Sequence, residues 1–172
     1  MKNTLKALID SKVSSNKIRV TQLVDSEETV KWIPLLLCKE HGTIIGVSTD
    51  ARWAIEEKKG LRILDEPWKF LRVMVLLEQP MVEIHNSLTE AFKEYQIFID
   101  VHDVFPFVEI VEVGFEQKSD YWADLALNWF THLSRMEQEE LLDSLKTILE
   151  ARWASQDFRH RVKKELRKIE KN

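Results

Sequence analysis

A chain of 172 residues with 44% apolar and 31% charged side chains is long enough to bury one core, and this composition is wrong for a disordered protein. Its four glycines are isolated, so neither a phosphate-binding loop nor a dinucleotide fingerprint can be written; Asp50 stands where Gly46-Val47-Ser48 would need glycine for a nucleophile elbow. A single cysteine excludes an internal disulfide and any multi-cysteine zinc site, and no cofactor is expected.

Cys38 follows Ile33-Pro34-Leu35-Leu36-Leu37 and reads as a small buried hydrophobe. The apolar cluster Leu5, Ala7, Leu8, Ile9 is interrupted by Lys6 and is too brief for a secretory leader. No run elsewhere approaches a membrane span, so a reduced, cytoplasmic setting is the expectation. The net charge of −4 conceals a division. Residues 80–118 carry eight acids against two bases, whereas residues 155–172 carry seven bases against three acids.

In chain order, residues 3–10 predict a short helix with Leu5, Leu8 and Ile9 on one side, and residues 18–24 alternate like a strand with one wet face. Residues 33–39 and 43–48 flank His41-Gly42 as a hairpin. Asp50 is placed to cap a short helix over 51–59, stopped by Gly60. Pro67 opens an all-round apolar, buried segment, 68–78, whose periodicity does not separate helix from strand; its length and start favour a helix ending before Pro80. Residues 81–85 read as extended. Ser87 and Glu90 then form a capping box ahead of the stripe Leu88, Ala91, Phe92, Tyr95. Residues 97–101 and 107–115, rich in β-branched and aromatic side chains, predict strands.

The last third predicts three helices. In the first, Ser119 stands at the N-cap and Trp122, Leu125, Ala126, Trp129, Phe130 and Leu133 form one stripe, both indoles being expected in the core. Ser134 with Glu137 makes a second capping box, opening a helix that carries Leu141, Leu142, Leu145, Ile148, Leu149 and Trp153. The register restarts one place late at Phe158, Val162, Leu166 and Ile169, so a break with Ser155 as the new cap is expected. The tetrapeptide Ala-Arg-Trp-Ala, at 51–54 and again at 151–154, reads as coincidence.

Two groups of residues invite a chemical reading. Glu83-Ile84-His85 and Asp100-Val101-His102-Asp103 echo one another; on neighbouring strands, His85, Asp100 and His102 would offer nitrogen and oxygen to a divalent transition metal able to activate water. Arg159, Arg161, Lys163, Lys164 and Arg167 edge the narrow stripe of the last helix and could meet nucleic-acid phosphates, an anionic membrane surface or an acidic protein. Against a DNA reader, the chain is net acidic and its last helix has few base-reading amides.

The fold expected is α+β: a small mixed sheet with helices over residues 1–117, followed by a three-helix unit over 118–172 packed on it. The function expected is that of a non-catalytic, cytoplasmic protein-interaction module that uses Glu109, Glu112 and Glu116, the basic last helix, or both. An acidic inhibitor or immunity-type protein is one concrete form. A metal-dependent hydrolase at His85, Asp100 and His102 is the first alternative. Nucleic-acid binding through the basic helix is the second.

Overall fold

The structure is a computed structural model that describes residues 2–38 and 42–170. Its internal contacts divide the chain into two units: residues up to Arg72 with Val82–Phe105, and Val73–Met81 with the residues from Pro106 onward.

The first unit opens with helix α1 (Lys2–Lys12), which buries Leu5 and Ile9 on one side, as the spacing predicts. Five strands follow: β1 (Arg19–Gln22), β2 (Thr29–Cys38), β3 (Thr43–Ser48), β4 (Trp53–Glu57) and β5 (Gly60–Ile63). They lie in sequence order, each antiparallel to its predecessor. The predicted β2–β3 hairpin is present, while its turn residues 39–41 lie outside the described residues. The sheet curls, with an isolated parallel bridge between Leu23 and Leu61 and the Val24 N–H donating to the Leu61 carbonyl at 3.0 Å.

Strand alternation sorts the apolar side chains onto two faces. Val30, Trp32, Ala54, Leu61 and Ile63 pack together on one of them, and the Trp32 indole N–H donates to Thr21 Oγ1 at 2.9 Å. On the other, Trp53 donates to the Val104 carbonyl at 2.5 Å and meets Phe105 and Phe92 edge-on, at 4.8 and 6.2 Å between ring centres.

The helix expected over 51–59 is the β4–β5 hairpin instead. Trp53 and Ile55 find partners in Val47 and Ile45 of β3, and this pairing overrides local helix preference. Asp50 serves a turn, accepting from the Ser48 hydroxyl and the Arg52 guanidinium, with Ala51 at φ 61°. Gly60 is a turn residue at φ 141°, where a Cβ would come within 2.4 Å of the Gln22 carbonyl oxygen.

The segment after Pro67 is helical as expected, but as two 3-10 turns, Pro67–Arg72 and Met74–Glu78, separated at Val73. Helix α2 (Met81–Glu94) replaces both the extended stretch over 81–85 and the capping box at Ser87. Its buried stripe Met81, Ile84, Leu88, Phe92 runs back through the stretch read as extended. The end of α2 is a Schellman turn: Gln96 sits at φ 59°, its N–H reaches the Lys93 carbonyl at 2.8 Å, and the Ile97 N–H reaches Phe92 at 3.0 Å. Ile97 and Phe92, both buried, supply the apolar contact that accompanies this motif. The chain thereby reverses into a 3-10 turn, Val101–Asp103, where a strand was expected over 97–101.

The second unit is helical beyond Pro106. Residues 107–115, predicted as a strand, form helix α3 (Phe107–Glu116). Phe107, Ile110, Val111 and Phe115 recur at helical spacing and are all buried, so packing outweighs the β preference of valine and isoleucine. Helix α4 (Asp120–Phe130) crosses α3 closely at Gly114 and buries Ala126, Trp129 and Phe130. Trp129 is 2% exposed and donates its indole N–H to the Gln79 carbonyl at 2.8 Å, which makes it a core residue.

Ser134 and Glu137 form the predicted reciprocal capping box of α5 (Arg135–Glu140). The helix expected to run on from there is broken at Leu141 and continues as α6 (Leu142–Glu150), leaving Trp153 beyond its end. Helix α7 (Gln156–Glu170) starts after Ser155, whose hydroxyl accepts the Phe158 N–H at 3.2 Å, and it buries Phe158, Val162, Leu166 and Ile169 as predicted. Ser119 holds the N-cap position of α4 without a side-chain cap bond; the next residue, Asp120, accepts the Ser155 N–H at 3.0 Å. The fold is α+β, an antiparallel sheet with helices and a helical C-terminal part.

Candidate functional site

Glu109, Glu112 and Glu116 succeed one another along α3 at spacings of three and four, so the helix gathers them on one face, opposite its buried residues. Glu109 and Glu116 are exposed and Glu112 is half-buried. Burial first, and then the charges of Glu116, Glu109 and Glu140, push the Glu112 carboxyl above the usual carboxylate range. Glu140 ends α5, so two helices contribute four carboxylates to one patch. Among the described residues, none of these four has an ion pair with lysine, arginine or histidine.

A groove of about 450 Å³ opens at the end of α3, lined by Phe115, Glu116 and Lys118 together with Thr147, Ile148 and Trp153. Glu116 belongs both to the patch and to the wall of this groove, so an apolar recess adjoins the negative surface.

The basic helix is partly neutralised. Arg161 of α7 is paired with Asp124 of α4, Arg159 donates to the Ala151 carbonyl at 3.2 Å, and Lys168 holds Glu165 at 2.8 Å. Lys163, Lys164 and Arg167 are exposed and, among the described residues, have no ion pair; Lys171 lies outside the described residues. A second cleft, of about 400 Å³, is lined by Asp120, Asp124, Phe158 and Arg161, and its carboxylates already hold the Ser155 N–H and the Arg161 guanidinium. Binding the Ser155 backbone N–H holds the Asp120 carboxyl below its ordinary range.

His85, Asp100 and His102 come together, although not on neighbouring strands. His85 lies on α2, and the reversal at Gln96 returns residues 100–103 to its side. The two imidazole rings are 4.9 Å apart between centres, with planes inclined by 36°. Asp100 Oδ1 accepts the His102 backbone N–H at 3.0 Å and lies 3.9 Å from His85 Nε2. Among the described residues, no group of three or more histidine, cysteine, aspartate or glutamate side chains is set to hold a metal ion. Cys38 is buried, and burial pushes its thiol above the ordinary value, which suits a packing role.

Glu140 and the groove were not legible in the sequence. Glu140 comes within electrostatic reach of Glu112 only through the tertiary fold, and the expected helix through Trp153 placed that indole on a buried stripe. No family model, curated protein or solved structure matches the chain. Among the described residues, no helix is long and apolar enough to cross a membrane.

Proposed function

We propose that this chain is a non-catalytic, cytoplasmic interaction module that docks a basic protein partner on the patch of Glu109, Glu112, Glu116 and Glu140, with an apolar side chain of the partner entering the adjoining groove. The observation that carries this reading is the clustered charge: among the described residues the four carboxylates have no ion pair, and burial and then like-charged neighbours push the Glu112 carboxyl up. A lysine or arginine brought to that surface relieves like-charge repulsion, and such complementarity speeds encounter more than it deepens affinity. The groove supplies what charge lacks, a recess for a desolvated anchor. An inhibitor or immunity-type protein that covers the basic active site of a nuclease or toxin has this chemistry.

Comparative capture from native lysate tests the proposal, with wild-type protein and the variant E109K/E112K/E116K as baits. A basic protein retained by the wild type, released by salt and lost from the variant is the expected result. An identical set of bound proteins on both baits contradicts it.

Helix α7 favours a second reading, phosphate binding by Lys163, Lys164 and Arg167, the exposed bases without ion pairs among the described residues. Three phosphate contacts would give a logarithmic salt slope of about −3 on duplex DNA. Neutralising those three residues would then abolish binding while the acidic patch stays intact.

A further inference from the structure

We propose that His85 and His102 form a binding site for a divalent first-row transition ion of the kind imidazole favours, Zn(II), Ni(II) or Cu(II), with the Asp100 carboxylate as an oxygen donor and water completing the shell. This is independent of the acidic patch and implies no hydrolysis.

Geometry supports the pairing. Zinc lies about 2.0–2.1 Å from a ligating imidazole nitrogen, so two imidazoles on one tetrahedral ion have ring centres about 5 Å apart. The centres of His85 and His102 are 4.9 Å apart. On the same metal–ligand lengths, a nitrogen and an oxygen donor sit about 3.4 Å from each other. His85 Nε2 and Asp100 Oδ1 are 3.9 Å apart, so a closure of about half an ångström brings the carboxylate in. As the structure stands, no group of three such donors among the described residues is set to hold a metal ion, so the two imidazoles carry the site and Asp100 must move to join them.

The backbone under each donor is fixed. His85 follows Ile84 and His102 follows Val101, both fully buried, so each imidazole hangs from an anchored turn. Asp100 is pinned at the start of its 3-10 turn by the His102 N–H. The Schellman turn at Gln96 holds the two segments side by side, so little ordering remains for the ion to impose. Imidazole nitrogen with one carboxylate suits zinc, nickel and copper better than calcium or magnesium, which favour all-oxygen shells.

Calorimetric titration of the full chain, purified with chelator and then freed of it, with zinc chloride tests the site. Wild type is expected to bind one zinc ion, and its melting temperature to rise with zinc by mass action. His85→Gln and His102→Gln each weaken binding at least tenfold, Asp100→Asn weakens it several-fold, and His132→Gln and His160→Gln leave it unchanged. Should a variant fold poorly, imidazole NMR resonances of the wild type carry the same test: zinc shifts those of His85 and His102 and leaves those of His132 and His160 in place. Absence of zinc, nickel and copper binding up to about 1 mM overturns the proposal, as does undiminished binding in H85Q/H102Q.

Discussion

Replacing Gly114 by alanine probes the helix that carries the acidic patch. A Cβ there would lie 2.7 Å from Leu77 Cδ1 and 2.8 Å from Ala126 Cβ, with the Trp122 carbonyl oxygen at 3.4 Å. The optimum for two carbon atoms is about 3.5–4.0 Å, so both carbon contacts are strongly repulsive. The end of the Leu77 side chain can swing aside, but the Ala126 Cβ is fixed to the α4 backbone, so α3 and α4 must move apart. Overpacking of this kind destabilises by about 1–3 kcal/mol. Alanine in a helix interior recovers about 1 kcal/mol over glycine. The net expectation is a loss of up to about 2 kcal/mol and no gain, read as a lower or unchanged urea midpoint at unchanged slope. An alanine variant more stable than the wild type by about 1 kcal/mol is the result for an open helix and would refute the close α3–α4 crossing.

Two further substitutions follow from the same unit. The folded chain holds the Glu112 proton more tightly than the unfolded chain, so ionisation of Glu112 opposes folding: the penalty is absent below the ordinary glutamate range, grows as pH rises past it and is complete above the raised folded value. Glu112→Gln should therefore stabilise at pH 7 by about 0.4–1 kcal/mol, from two like-charge helical neighbours at about 0.2–0.5 kcal/mol each, and the gain should vanish near pH 4 in thermal melts; an equal gain at both values contradicts it. Ser134→Ala removes one half of the α5 capping box, the Glu137 N–H donated to Ser134 Oγ at 3.4 Å, while keeping the Ser134 N–H on the Glu137 carboxylate at 2.7 Å, and should cost about 1 kcal/mol in denaturant unfolding. Unchanged stability would mean that α5 is held by other contacts.

Some local signals were legible, where side-chain chemistry acts within one turn of helix, although the equally local box at Ser87 and cap at Ser119 do not form. The Ser134 box and the Ser155 cap with its late stripe at Phe158, Val162, Leu166 and Ile169 are short-range arrangements, and both appear as read. Errors arose where a partner distant in sequence decides the conformation. Trp53 and Ile55 become strand only because β3 lies beside them, and the valines and isoleucine of α3 become helix because both α3 and α4 need an apolar face covered. The spacing of Phe107, Ile110, Val111 and Phe115 held that information, but composition masked it. His85 and His102 show the converse. Their echo suggested convergence through paired strands, and they converge through a helix, a left-handed Gln96 and a tight turn. Glu140 had no local sign at all, because its membership of the patch is tertiary.

The patch is most directly tested by association kinetics with the partner captured on the wild-type chain, measured by stopped flow at low and physiological ionic strength. Reversal of Glu109, Glu112 and Glu116 to lysine should slow association at least tenfold at low salt, with the difference shrinking as salt screens the surface and with dissociation changed less. An association rate that is the same for both proteins at both ionic strengths would contradict a role for the acidic patch in recognition.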